Sequence, residues 1–315
     1  FRGMKYAQTP SDLNKFWTGN TRMHVASVSK LLTSMALLKA LSKKGISYQH
    51  RISDYLPAYW DQGPKIDQIT FQDLLQHHSG FIVGKSATSY HTMKTVIQRG
   101  VNGSGSNAEY AYQNSNFGLM RIMIPILNGD LDRSAVFSAD GIINDQIWDG
   151  LTIGFYHDYL QANVFDPAGV HNVGFIPLPA AADGAVAYRF PALNLHGWNS
   201  GDTSTVAGGA GWRLTLSELM KVVDQFRRRN TIVPSATAQM ILDKKFGIDQ
   251  NIETPLGRIY NKNGGWHHNG TTEQCVVYFM PDGIEVGVFV NSPLGAQNFS
   301  LRNAVKDNYL AAIKQ

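Results

Sequence analysis

The chain has 315 residues, 43% of them hydrophobic and 17% charged, with a net charge of +4. That is enough chain to bury a large core, and the profile of an ordinary globular protein without disordered tails. The longest basic run is Arg227-Arg228-Arg229, which ends a helical stretch and reads as a solvated face, so no nucleic-acid partner is expected. Cys275 is the single cysteine, which excludes an intrachain disulfide and a cysteine-based zinc site, and no apolar run is long enough to span a membrane.

In chain order, residues 1–26 read as short extended segments with a turn at Thr18-Gly19-Asn20. Leu31, Leu32, Met35, Leu38 and Leu41 then recur at three- and four-residue steps and predict an amphipathic helix, ended by Lys43-Lys44-Gly45. Thr70-Phe71-Gln72-Asp73 is a capping box for a short helix that stops at Ser79-Gly80. Residues 100–108 are Gly/Ser-rich and predict a flexible loop before Tyr112, and Phe117 to Leu127 is helical in pattern. Residues 129–150 are acidic and turn-rich and are expected as a surface excursion, followed by a helix from Phe155 to Phe165. Residues 177–211 read as long loops near a site, and Thr215-Leu216-Ser217-Glu218 caps a helix running to Arg229. Strands are expected at Gly257–Tyr260, Gly264–Asn269, Glu273–Met280 and Ile284–Asn291, and a last helix over about 301–313. Strands at both termini around a helical middle predict one antiparallel sheet built from the two ends.

Chemistry enters at Ser27-Val28-Ser29-Lys30. A serine in the first turn of a helix keeps a free backbone N–H, and Lys30 one turn on puts an amine near its hydroxyl, the geometry of an activated nucleophile with half an oxyanion hole. Ser-x-x-Lys alone occurs about once by chance in a chain this long. Its bland reading is a helix cap with a surface lysine. A second proton carrier is still required, and Tyr112-Gln113-Asn114 offers a phenol and an amide two residues apart. A phenol beside an ammonium has its pKa lowered from about 10 and can act as base; a desolvated Lys30 is the other candidate. His268-Asn269-Gly270-Thr271 opens the last hairpin and could present a second N–H and a substrate-facing side chain. His77-His78 and His267-His268 are adjacent pairs that do not chelate easily through both members, so no metal or other cofactor is expected.

Ser27-Val28-Ser29-Lys30, Tyr112-Gln113-Asn114 and His268-Asn269-Gly270, in that order, resemble the penicillin-recognising serine hydrolases, in the branch with class C β-lactamases, D-stereospecific peptidases and related esterases. Asp54-Tyr55-Leu56-Pro57, the stretch from Ile69 to Gly80, Asn114-Ser115-Asn116-Phe117-Gly118 and Phe165-Asp166-Pro167-Ala168-Gly169-Val170 are similar to that family too. The resemblance implies an α/β (α+β) fold, an antiparallel sheet flanked by helices with an inserted, mostly helical domain. The expected division is 1–59 with 206–315 as the sheet domain and 60–205 as the helical one, the site lying between them. It implies that Ser27 is acylated, Lys30 activates it, Tyr112 shuttles protons and Asn114 and His268 bind substrate beside Gly270. The N–H groups of Ser27 and Thr271 would form the oxyanion hole.

Three features depart from the family pattern. His268 stands where most β-lactamases of the family carry Lys, and imidazole attracts a carboxylate less than a permanent ammonium. This favours esterase- or peptidase-like activity on a small-molecule or peptide substrate over antibiotic hydrolysis. Glu273 near the site would further disfavour anionic substrates, and only 26 residues precede Ser27. The alternatives are a penicillin- or peptide-sensing module that acylates with little turnover, and a non-catalytic scaffold. The opening Phe1-Arg2-Gly3-Met4 reads as an interior stretch, and an exported location is expected.

Overall fold

The computed structural model describes residues 6–85, 88–102, 108–177, 184–191, 195–295, 297 and 299–313. The opening Phe1-Arg2-Gly3-Met4, the Gly/Ser run at 103–107 and parts of the loops at 177–211 lie outside them. In chain order come β1 (Tyr6–Gln8), β2 (Lys15–Phe16), β3 (Arg22–His24), α1 (Ser29–Lys43), α2 (Phe71–Leu75), α3 (Tyr90–Arg99), α4 (Ser115–Asn128) and α5 (Gly141–Leu160). After these follow β4 (Arg213–Thr215), α6 (Leu216–Asp224), α7 (Ser235–Asp243), β5 (Gln250–Thr254), β6 (Gly257–His268), β7 (Thr271–Phe279), β8 (Glu285–Val290) and α8 (Leu301–Ala312). The fold is mixed α/β with antiparallel sheets.

The main sheet has the order β5-β6-β7-β8, and all four strands come from the C-terminal part of the chain. The expectation of one sheet from both ends is therefore corrected. β1 pairs with β2, and β3 pairs with β4, in separate two-stranded ladders. The two ends meet through a side chain instead: Asn291, just past β8, donates from Nδ2 to the carbonyls of Ala7 and Val186.

α1 is the centre of the molecule. Its leucines are fully buried, as their spacing predicts, but so are Ser29, Lys30, Thr33 and Ser34 on the opposite face. A helix buried all round must hydrogen-bond its polar residues internally. Thr33 donates to Gly208 O at 2.7 Å and lies 2.8 Å from the Tyr156 hydroxyl, and Ser34 donates to Lys30 O at 2.9 Å. Burying each Leu of this helix stabilises the fold by about 1.5–3 kcal/mol, so the start of α1 is a rigid platform.

Two elements differ from expectation. Within the supposed surface excursion at 129–150, α5 already begins at Gly141, capped by the Asp140 carboxylate on the N–H groups of Ile142 and Ile143. Its buried residues Trp148, Thr152, Tyr156 and Tyr159 form the inner stripe, and the acidic residues beside it are paired, Asp145 with Lys94 and Tyr59 and Asp149 with the buried Arg121. The strands expected at 257–260 and 264–269 are one strand, β6, running through Asn261-Lys262-Asn263. This polar run stays in the sheet because each side chain has a partner: Gln250, Asp249 and Arg302 respectively.

Candidate active site

Ser27 lies in a single 3-10 turn, Ala26–Val28, between β3 and α1. Ala26 has φ +45°, a conformation that costs a residue with a side chain of order 1–3 kcal/mol. The turn is held there by its surroundings. Cys275 on β7 donates from Sγ to Val25 O at 2.9 Å. Gly264 on β6, paired with Cys275, lies so close that a Cβ on it would fall 2.3 Å from Val25 O and 3.1 Å from Ser27 N. Glycine is required at 264 because the nucleophile turn occupies the space of a side chain.

Around the Ser27 hydroxyl, Lys30 Nζ lies at 3.0 Å and Tyr112 OH at 2.9 Å. Lys30 Nζ also donates to Asn114 Oδ1 at 2.9 Å and to Gly209 O at 2.7 Å. Burial pushes the pKa of Lys30 down, which favours the neutral amine. The three acceptors argue the other way, because they match the three N–H bonds of an ammonium. A neutral amine would turn its lone pair toward one of those acceptors in a dry site, so the geometry fits the charged form better.

Burial raises the pKa of Tyr112, but Lys262 and Lys30 outweigh it and bring the phenol down to about 8. Lys262 is buried on β6, 2.7 Å from Asp249 Oδ1, with Nζ 5.5 Å from the centre of the Tyr112 ring. Desolvation opposes its charge, yet Asp249 and Tyr112 hold its pKa above the ordinary value. A cavity of about 390 Å³ opens over these groups, and its walls include Ser27, Tyr110, Tyr112, Lys262, Gly265 and Arg302.

The edge of β6 lies beside the nucleophile turn, and Gly265 lines the cavity with Ser27. Asp249 N donates to Asn261 O and Asn263 N donates to Asp249 Oδ2, so the odd-numbered residues here turn their backbone groups away from β7. β5 starts at Gln250, opposite Asn261, leaving this edge open beyond Asn263. By strand alternation the N–H of Gly265 faces the open edge, beside Ser27.

The structure thus brings together Ser27, Lys30, Tyr112 and Asn114, and it does not bring His268, Gly270 and Thr271 to them. His268 is exposed at the end of β6, four residues or about 13 Å beyond Gly264, with its ring stacked on Trp198 at 4.6 Å. Thr271 donates its hydroxyl to His268 O in the same hairpin turn. Lys262-Asn263-Gly264 stands at the site in place of His268-Asn269-Gly270, and Gly265 lines the cavity in place of Thr271. The supposed loss of a permanent ammonium is corrected with it. Glu273 is corrected too: it is 1% exposed and turns toward His24, 3.3 Å from Nδ1, rather than toward the cavity. Sequence reading also missed Gly209, Asp249 and Arg302, none of which carries a local signal. Among the described residues no cluster of His, Cys, Asp and Glu is arranged to hold a metal ion.

A serine seated between a lysine one turn on and a tyrosine from a helical region, against the open edge of an antiparallel strand, defines the class of serine β-lactamase and penicillin-binding-like proteins. Residues 7–311 match the Beta-lactamase family, and the chain belongs to it. D-amino acid amidase from Ochrobactrum anthropi SV3 has a similar structure, with TM-score 0.70, 16% identity and coverage of 98% of this chain and 89% of that one. A penicillin binding protein from Bacillus halodurans matches with TM-score 0.64 and 18% identity over 92% of this chain and 87% of that one. A 74-residue stretch is 35% identical to the probable fimbrial assembly protein FimD, serogroup H1, of Dichelobacter nodosus, spanning 24% of this chain and 19% of that relative.

Proposed function

We propose that the protein is a serine hydrolase that cleaves an ester or amide through an acyl-enzyme on Ser27. The observation that carries this reading is the Ser27 hydroxyl held between Lys30 Nζ and the Tyr112 phenol. Tyr112, in its phenolate form, takes the Ser27 proton as Oγ attacks the carbonyl carbon. The electron pair displaced onto the carbonyl oxygen meets the N–H groups of Ser27 and Gly265, with Lys30 as a fixed positive charge nearby. Collapse breaks the bond to the leaving group, which receives the proton from Tyr112. Water then repeats the sequence on the acyl-enzyme, giving its proton to Tyr112 and releasing the acid as Ser27 is reprotonated.

Lys262, paired with Asp249, and Arg302 line one wall of the cavity and leave it with a net positive charge, with Arg302 Nη1 3.2 Å from Asn263 Oδ1. This favours substrates that carry a carboxylate beside the scissile bond, since charge-assisted hydrogen bonds are roughly twice as strong as neutral ones. A penicillin carries such a carboxylate, which fits the relative named as a penicillin binding protein.

The test is mass spectrometry after exposure to a fluorophosphonate and, separately, to a penicillin. A single adduct on Ser27, absent from Ser27→Ala, is expected with the first. No adduct on Ser27 overturns the reading. A burst of ester product equal to enzyme, with almost no turnover after it, would assign an acylating sensor instead.

A further inference from the structure

His77 is a buried histidine that the reaction above does not use, and the chain closes around Tyr112 through it. It is 6% exposed and has φ +60°. Its carbonyl accepts the N–H of Ala111 at 2.9 Å, and its Nδ1 accepts the N–H of Gln113 at 3.3 Å. Its ring lies against the ring of Tyr112 between them, centroids 4.4 Å apart and planes inclined at 31°. One residue thus holds the backbone on both sides of the phenol and one face of the phenol itself.

The imidazole is fixed in turn. Asn116 Nδ2 lies 3.1 Å from His77 Nδ1, and Ser79 donates to Asn116 Oδ1 at 2.7 Å, which orients that amide with its NH₂ toward the ring. Two donors on Nδ1 leave the proton on Nε2. Burial, with Lys262 and Lys30 nearby, lowers the pKa of His77 to about 2, so the ring stays neutral wherever the protein is folded and active. A neutral ring adds no charge of its own to the phenol it supports.

We propose that His77 is the positioning residue for the base: it clamps the Tyr112 phenol between Lys30 and Lys262, and Asn116 and Ser79 hold His77 in the orientation that does so. The charged and titratable groups around the pair are Lys30 on α1, Lys262 on β6, Asp249 before β5, and Tyr110 and His78 on the adjoining loops. Only a clamped phenol stays close enough to both ammonium groups to be ionised well below the ordinary value of about 10. The inference rests on the proposed reaction for its kinetic part and on geometry alone for the rest.

Two substitutions separate the contacts. His77→Phe keeps a ring against Tyr112 and removes the acceptor. His77→Asn tolerates the left-handed backbone and removes the ring. The Tyr112 ionisation is followed by NMR of ¹³Cζ-labelled tyrosine, assigned with Tyr112→Phe, and the pH dependence of ester hydrolysis is measured beside it. Both variants should move the Tyr112 midpoint from about 8 toward 10. The acid limb of kcat should move with it, kcat should fall roughly tenfold or more, and KM should stay within about twofold.

A folded variant whose Tyr112 midpoint is unmoved, or whose loss lies in KM, overturns the proposal. If neither His77 variant folds, Ser79→Ala decides by the same two readouts, with a smaller shift in the same direction. The NMR titration needs no substrate. A wild-type protein that neither turns over esters nor labels at Ser27 would therefore sink the proposed reaction and still leave the clamp tested.

Discussion

Gly264 lies directly beneath Val25: a single methyl group added to it would come within 2.3 Å of the Val25 carbonyl oxygen. Val25 O and Ser27 N are backbone atoms of the nucleophile turn, which cannot swing aside as a side-chain tip can. Gly264→Ala should therefore push the Ala26–Ser27 turn off β6. Overpacking of this kind typically costs about 1–3 kcal/mol. A lower urea midpoint together with a loss of fluorophosphonate labelling at Ser27 is the expected result. Unchanged labelling in a folded Gly264→Ala protein would show that the turn does not depend on this contact.

Ser27→Ala should abolish turnover, whereas Ser29→Ala should leave most of it. Ser29 is fully buried and its Oγ accepts the N–H of Trp212 at 3.4 Å, so its loss should appear in stability, by about 1 kcal/mol. Rate measurements and denaturation curves on the two variants check the division. Near-full activity in Ser27→Ala would remove the mechanism.

Activity should rise with pH through about 8, because the proposed base is the phenolate form of Tyr112, whose pKa Lys262 and Lys30 lower to that value against burial. Below the midpoint the active fraction falls tenfold for each pH unit. Lys262→Met removes one of the two cations and leaves the Asp249 carboxylate without its counter-charge, and both changes raise the Tyr112 pKa. The acid limb of kcat should move toward pH 10, with a large loss of rate at neutral pH. An acid limb that stays near 8 would assign the base to another group.

The selectivity for anionic substrates should depend on Arg302 and not on His268. Arg302→Gln should lower the ratio of kcat/KM for a carboxylate-bearing substrate to that for a neutral ester by roughly tenfold, the loss of one charge-assisted hydrogen bond. His268→Lys should leave the ratio where it is, since His268 lies against Trp198 away from the cavity. A ratio that follows His268 would return the hairpin tip to the site.

Arg121 offers a stability test. It is fully buried, with Nη1 2.6 Å from Asp149 Oδ1 and with Nε and Nη2 unpaired among the described residues. Replacing a buried charge by an apolar side chain of similar volume is often neutral or stabilising, whereas removing its partner costs about 3–5 kcal/mol. Arg121→Met should shift the urea midpoint little or upward, and Asp149→Ala should lower it clearly. Equal losses in both variants would mean that the guanidinium is better satisfied than its contacts indicate.

Local pattern was enough for the nucleophile helix. The leucine spacing of α1, the capping box at Thr70 and Asp73, and Ser27 and Lys30 one turn apart are relations within a few residues, and short-range geometry determines them. The mixed α/β class and the approach of Tyr112 and Asn114 to Ser27 were legible through family resemblance, because the motifs keep their order along the chain. The substrate-side strand was misread for a physical reason. Asn261-Lys262-Asn263 looks like a turn when hydrophobicity is the guide, and it remains a strand because Gln250, Asp249 and Arg302 satisfy it from elsewhere in the chain. Lys262-Asn263-Gly264 differs from Lys-Thr-Gly at one position and His268-Asn269-Gly270 at two, so the better match was present in the sequence. Only the tertiary structure decided between them, since it alone sets which glycine lies against Val25 and Ser27. The Tyr112 pKa and the closure of His77 around it belong to the same class of fact: they depend on charges and rings that are distant in sequence and meet only when α1, the loop before α4 and β6 pack together.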